Sequence, residues 1–353
     1  MAVRMTTPVT IVTGFLGSGK TTLINRLLRE SHNQKIAVIE NEFGEIGVDA
    51  EFLATTGEET IIQLANGCVC CTVRGDLADA LHQLVSQSTA KGFKFDRVLI
   101  EATGVADPGP VIRTFLAETE IEAHFHLDGI VTLVDLVNGL AGLERIENRA
   151  QVAYADRLLL TKCDIAIPED VEKLADELAV MNPRASQVRC DLAQIAVSNL
   201  IDHLFDTRGF AIDYVAADEI ERAMRGLQLM QPAKDGSRLK PVGASRHTED
   251  IVSFAFRTEL PMHMELVNQF LDAAVAVYGP RLWRCKGIVN SEHHRQRLVI
   301  QGVQELIQIS SGTLWKAYEP RRTTIVVIGQ RLEPDFFAQG LAACQVTKLA
   351  HSC

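Results

Sequence analysis

No apolar run in this chain approaches the about 20 residues that a membrane-spanning helix needs. The opening stretch, "MAVRMTTPVTIVTGF", lacks the sustained apolar core of a secretory leader, and "PVTIVTG" is too short to span a bilayer. The expectation is a cytoplasmic protein with no membrane partner. Basic residues are in the minority: 35 Lys and Arg stand against 45 Asp and Glu, a formal charge of −10. That argues against a broad basic surface, and so against nucleic acid as a partner. Eight cysteines in 353 residues do not make a disulfide scaffold. In a reducing compartment, grouped thiols read as metal ligands or redox groups instead. There is no internal repeat, no low-complexity tract and no long His-rich run that would store metal.

Apolar residues are nevertheless plentiful, at 47%, with 23% charged, which fits a globular chain long enough for two domains. Short apolar runs at 9–13, 36–40, 97–101, 130–135, 157–161 and 187–190 read as strands. Helical patterns fall at about 20–31, 75–90, 109–118, 142–153, 168–181 and 198–205. Continuous apolar strands alternating with helices predict a mainly parallel sheet covered on both faces, with ligands at the C-terminal ends of the strands. Residues 211–250 are polar and include "QPAKDGSRLKPVGASRHTED", which reads as a linker. Beyond it the order changes to a strand (251–257), a helix (262–277), short strands (282–289, 297–303, 305–310, 323–329) and a last helix (334–343). The fold class expected is α/β, a domain with a mainly parallel sheet flanked by helices over 1–208, then a linker over 209–250 and a smaller α+β domain with an antiparallel sheet over 251–353.

"GFLGSGKT" (14–21) matches G-x-x-x-x-G-K-[ST], follows a predicted strand and opens a predicted helix. By chance the pattern would occur in a chain this long about once in a hundred times. Gly14, Gly17 and Gly19 let the backbone curl so that its N–H groups face phosphate oxygens, and the helix N-terminus adds positive potential. Lys20 is placed to reach the β- and γ-phosphates, and Thr21 to offer a hydroxyl to Mg²⁺. Ser18 and Thr22 complete the nucleotide-binding set. "TKCD" (161–164) follows a strand. Its Asp164 can accept from the guanine ring edge while the stem of Lys162 packs over the ring. "MNPRA" (181–185) either closes the far side of the base or is a plain helix stop. "LIEATG" (99–104) places Glu101 at a strand end, suited to hold Mg²⁺ or its water, with Gly104 just behind.

"NGCVCCT" (66–72) sets Cys68, Cys70 and Cys71 almost side by side, after an acidic stretch that holds Glu40, Glu42 and Glu45. In an extended segment Cys68 and Cys70 share a face; in a tight turn Cys70 and Cys71 both contribute. Thiolates with a carboxylate suit Zn²⁺, while Co²⁺ or Ni²⁺ also fit the donor set. A thiol redox switch and three buried, reduced cysteines are the competing readings. "HFH" (124–126), "EHH" (292–294) and "HSC" (351–353) are weaker candidates, because none completes a coordination sphere by itself.

Taken in order, "GFLGSGKTT", "IENEFGE", "NGCVCC", "IEATGVADPGP" and "LLLTKCD" resemble the CobW-type P-loop GTPases, most closely their YjiA-like branch. The likeness continues through "LWRCKGIVN", "LVIQGVQELI" and "TTIVVIGQRLE". The resemblance implies a GTP-hydrolysing metallochaperone or metal-insertion regulator with GTP/GDP, Mg²⁺ and a transition-metal ion as ligands and an unknown metalloprotein as client; it leaves room for a homo-oligomer. By motif match it implies Glu40, Glu45 and Cys70 as metal ligands, with Cys68 and Cys71 as alternatives or additions. The phosphate loop and the strand-end acid themselves make Lys20 and Glu101 the candidates for serving hydrolysis, with Thr21 and Glu101 for magnesium. The chain departs from many GTPases in having Thr161 where they have Asn, while Lys162 and Asp164 remain. The rival readings are a GTP-binding metal or redox sensor that delivers nothing, and a P-loop kinase, which "TKCD" disfavours.

Overall fold

A computed structural model describes residues 6–30, 32, 34–40, 60–63, 74–91, 95–102, 104, 107–210, 229–230 and 250–346. The chain forms two compact units, Met1–Ala175 with Ala185–Phe210, and Asp176–Arg184 with Ala211–Cys353.

The first unit runs β1 (Thr7–Gly14), α1 (Lys20–Arg29), β2 (Ile36–Glu40), β3 (Thr60–Gln63), α2 (Arg74–Lys91), β4 (Arg97–Glu101), α3 (Gly109–Ala117) and α4 (Thr119–Glu122). It continues with β5 (Phe125–Asp135), α5 (Gly139–Gly142), α6 (Ile146–Tyr154), β6 (Arg157–Thr161), α7 (Pro168–Met181), β7 (Ser186–Cys190) and α8 (Val197–Leu204). Seven strands lie in the order β3-β2-β4-β1-β5-β6-β7, and every pairing is parallel. All strand ends therefore emerge on one edge. Val9, Ile11 and Val12 of β1 and Val98, Leu99 and Ile100 of β4 are buried, as central parallel strands require. Helix α1 buries Leu23, Ile24 and Leu27, which pack with Leu133, Leu159, Leu200 and Leu204 from β5, β6 and α8. Each such side chain contributes about 1.5–3 kcal/mol, so α1 is fixed firmly behind the loop that precedes it.

Three departures from the expected elements have local causes. β3, "TIIQ", is a four-residue strand inside a stretch rich in Thr, Gly and Glu, too short to stand out as a pattern. β5 begins at Phe125 rather than 130, because Asp128 and Gly129 are part of the strand and not a turn. The register against β1 slips there, between Val9↔Leu127 and Thr10↔Gly129. The displaced Asp128 accepts hydrogen bonds from Thr207 N (3.1 Å) and Arg208 N (3.1 Å), which offset the cost of burying a carboxylate. The helix expected over 142–153 is two helices, α5 and α6, with Asn148 Nδ2 donating to the Gly142 carbonyl at the break (2.8 Å).

The second unit holds β8 (Leu229–Met230), β9 (Ile251–Thr258), α9 (Met264–Tyr278), a 3₁₀ turn (Gly279–Arg281), β10 (Arg284–Val289), β11 (Gln296–Val303), β12 (Leu306–Leu314), β13 (Thr323–Gln330) and α10 (Pro334–Ala343). Its sheet has the order β12-β11-β10-β13-β9-β8 and is antiparallel except for β8 with β9. Phe254 of β9 meets Phe337 of α10 at 5.0 Å between ring centroids. Tyr278 stacks on Phe337 at 5.3 Å. Phe337 is 1% exposed at the centre of this cluster. Phe337→Ala should lower the unfolding free energy by about 3–5 kcal/mol, measured by urea denaturation. A loss under about 1 kcal/mol would show that the aromatic cluster does not carry the packing of this unit.

Candidate nucleotide and metal site

β1 stops at Gly14 because its neighbour leaves no room. A Cβ there would lie 2.3 Å from Leu133 O of β5, and φ is +143°. Gly17 (φ +75°) and Gly19 (φ +99°) take the left-handed conformations that curl the loop. α1 starts directly at Lys20. The Lys20 side chain folds back: Nζ donates to Gly14 O (2.8 Å) and Phe15 O (3.0 Å). Burial pulls its pKa down to about 8, against the opposing pull of the nearby Glu101 carboxylate. Ser18 is buried, and its Oγ has no hydrogen-bond partner among the described residues. Thr21 and Thr22 are exposed on the first turn of α1.

Glu101 ends β4 level with Val12 of β1 and is half-buried. Gly104 lies against the loop, where a Cβ would come within 2.9 Å of Lys20 Nζ and 3.1 Å of Leu16 Cα. A side chain there would have to push the ammonium aside and crowd the Leu16 backbone. On the adjacent strand, Ile39 of β2 is in register with Ile100 of β4, so Glu40 follows beside Glu101. Glu40 is also paired with Gln63, the last residue of β3. Glu42, Glu45, Cys68, Cys70 and Cys71 lie outside the described residues, as does the tail "HSC".

On the other side of the loop, Thr161 explains its own departure from Asn. Its Oγ1 donates to Ser18 O (2.8 Å), with Val134 O nearby at 3.3 Å. The hydroxyl thus ties the end of β6 to the phosphate loop. Lys162 sits at φ +59°, and its Nζ donates to Asp135 Oδ2 (2.7 Å). Burial pushes the Asp135 carboxyl up, but hydrogen bonds from Lys162, the Asn138 amide and Val137 N–H outweigh it and hold the pKa below the ordinary value. Asp164 is exposed at the same rim. Asp135 and Asn138 were not anticipated. The available signal was the acid closing the apolar run "IVTLVD", the same pattern that marked Glu101.

The segment 181–185 takes the helix-stop alternative. It runs into the first residue of β7, so it belongs to the N-terminal edge of the strands, away from Gly14, Glu101 and Thr161. Asn182 Oδ1 accepts from Arg184 N (3.2 Å) as the helix ends. The turn that follows β7, 191–195, occupies the ligand edge instead. Among the described residues no three His, Cys, Asp or Glu side chains gather as a metal centre. His126 bonds Thr6, while Glu292 lies near both His263 and His293. Burial raises Cys190, Cys285 and Cys344 to about 11, 12 and 11, which keeps them protonated and poor as ligands.

A glycine loop between a central parallel strand and a helix, with its lysine folded under the loop carbonyls, defines a P-loop nucleotide-binding protein. The chain belongs to the CobW family: residues 8–189 match "CobW/HypB/UreG, nucleotide-binding domain" and residues 251–345 match the "Cobalamin synthesis protein cobW C-terminal domain". It is 34% identical to the zinc chaperone YjiA of Escherichia coli, over 93% of this chain and 95% of the relative. It is 30% identical to the zinc chaperone CobW of Pseudomonas aeruginosa, over 95% and 90% of the two chains. The crystal structure of Zn(II)-bound YjiA GTPase from E. coli superposes with a TM-score of 0.75 at 31% identity, covering 97% of this chain and 100% of that one. Among the described residues no helix is long and apolar enough to cross a membrane.

Two outcomes follow from the geometry. Phosphate charge beside Lys20 favours its charged form, so nucleotide binding should take up a proton above pH of about 8. Titration calorimetry at about pH 8.5 in two buffers of different ionisation enthalpy reads this directly. Affinity should be level below that window and fall as pH rises through it; zero proton uptake would contradict the burial argument. Thr161→Val keeps the shape but removes the hydroxyl tie to Ser18 O. It should weaken nucleotide binding about tenfold by fluorescence titration, whereas unchanged affinity would show that the tie does not shape the loop.

Proposed function

We propose that this protein is a slow GTPase and metallochaperone that carries Zn(II), with Co(II) or Ni(II) as alternative cargo, and hands it to a client metalloprotein. The observation that carries the reading is the adjacency of Glu40 and Glu101 on neighbouring strands, at the edge that bears the phosphate loop. One carboxylate begins the acidic stretch that leads towards the cysteines; the other lies within electrostatic reach of Lys20. The relatives' names, zinc chaperone and, for the Schizosaccharomyces pombe protein, zinc-regulated GTPase metalloprotein activator, point the same way.

In this reading Gly14, Gly17, Ser18, Gly19, Lys20, Thr21 and Thr22 hold the phosphates, and Lys162 and Asp164 select guanine. The exposed Thr21 hydroxyl and the Glu101 carboxylate are hard oxygen donors that suit Mg²⁺. Magnesium there would neutralise charge on the β- and γ-phosphates. Lys20, already desolvated, supplies a fixed positive charge where negative charge develops during hydrolysis. Glu40, Glu45 and Cys70, with Cys68 or Cys71, form the cargo site. GTP binding tightens that site, and hydrolysis loosens it. The GTPase domain spans 1–208, the linker 209–250, and the domain 251–353 presents a surface to the client.

Zn(II) affinity should be measured by chelator competition on reduced protein with Mg²⁺, using a non-hydrolysable GTP analogue or GDP. Binding should be at least about tenfold tighter with the analogue and should be lost in Cys70→Ala. Equal affinity in both nucleotide states, or survival of the site in the variant, would overturn the gating mechanism.

A further inference from the structure

Helix α1 carries a second cation about two turns beyond Lys20. Arg26 Nη1 donates to Leu192 O (2.5 Å) and Nη2 to Ile195 O (2.8 Å). Its Nε donates to Glu30, the residue that caps the C-terminal end of α1, which fixes the plane of the guanidinium. The backbone so held is the turn between β7 and α8, 191–195. That turn is otherwise folded on itself. Gln194 N and Ile195 N donate to Asp191 O, and Ala193 N donates to Asp191 Oδ1 (2.9 Å). Leu192 N–H has no hydrogen-bond partner among the described residues. The Leu192 side chain lies over the phosphate loop, where a Cβ on Gly19 would come within 2.7 Å of its Cδ1. Cys190, two residues earlier, is level with Thr161, so the turn stands beside Lys162 at the base side of the crevice.

We infer that Arg26 is a positioning residue for base selection: by gripping the carbonyls of Leu192 and Ile195, it sets the 191–195 turn at a fixed distance from the phosphate helix. The inference rests on the reading of Lys162 and Asp164 as the guanine readers. A base is discriminated by groups that must be in register with the phosphate grip, because one nucleotide spans both. A planar fork with two charge-assisted bonds to one turn provides that register, and a lysine would provide only part of it. Loosening the turn should cost binding of a nucleotide that uses the base side and spare a ligand that uses only the phosphate side. A residue that merely stabilised the fold would weaken both alike.

The test compares GTP, ATP and inorganic tripolyphosphate by competition against a fluorescent GDP on the full chain. Arg26→Gln should lose about tenfold in its preference for GTP over ATP, the value of one well-placed hydrogen bond, while tripolyphosphate affinity stays within about twofold. Arg26→Lys should recover part of the preference. An unchanged preference in Arg26→Gln, or equal losses for GTP and tripolyphosphate, would overturn the inference. If Arg26→Gln shows no cooperative melting transition, Glu30→Gln serves in its place: it frees the guanidinium plane and should shift the preference in the same direction by about threefold. Asp164→Asn separates the two levels. If it moves the preference from guanine to xanthine nucleotides while Arg26→Gln leaves the GTP preference intact, Arg26 alone loses its role. If Asp164→Asn leaves the GTP preference intact, the guanine reading falls and this inference falls with it.

Discussion

The ammonium of Lys20, folded beneath the carbonyls of Gly14 and Phe15, is held there by a chain of close fits. β1 can stop at Gly14 only because no Cβ stands against Leu133 O. α1 can begin at Lys20 only because Leu23, Ile24 and Leu27 anchor it to the sheet. Gly104 closes over the ammonium, and Thr161 ties Ser18 to the end of β6. A cation taken this far out of water is destabilised, so an incoming polyanion recovers more from it than from a solvated lysine. The all-parallel sheet brings the remaining groups to the same edge, because every strand delivers its last residue there.

That edge was the most legible part of the sequence. Gly-rich loop, strand-end acid and Lys-x-Asp are short, ordered signals whose meaning comes from lying at the ends of apolar strands, and Glu101 and Lys162 stand where that logic put them. The strands and helices of the second unit were also readable, because the polar span 211–250 separates two different rhythms of apolar runs. Less was legible where a side chain acts through a distant partner. Asp135 closes an apolar run as Glu101 does, but its pairing with Lys162 joins the ends of two strands, and Arg26 has no motif at all: it acts through carbonyls more than 160 positions away, of which sequence spacing carries no trace. The bulge at Asp128 was hidden for a related reason, since Asp-Gly reads as a turn unless Thr207 and Arg208 are known to satisfy the carboxylate. The two-way reading of 181–185 was settled by direction alone, because a segment leading into a parallel strand is on the wrong edge for the ligand.

Three of the eight cysteines differ in chemistry from the three of the Cys-x-Cys-Cys motif. Cys190, Cys285 and Cys344 are buried and held protonated by desolvation, so they behave as small apolar side chains. Cys68, Cys70 and Cys71 instead follow β3, whose last residue, Gln63, is paired with Glu40. Desolvation thus takes the three buried thiols out of competition for a thiophilic ion, while Cys163 is free and only partly buried.

In the proposed function, cargo and nucleotide sites share one free-energy coupling across the β2–β4 edge. Coupling of this kind is reciprocal, so the most direct measurement is nucleotide affinity with and without bound Zn(II), on reduced protein with Mg²⁺. Zinc should tighten binding of a non-hydrolysable GTP analogue by the same factor by which that analogue tightens zinc, and should leave GDP affinity unchanged. Equal effects of zinc on both nucleotides, or none on either, would contradict the claim.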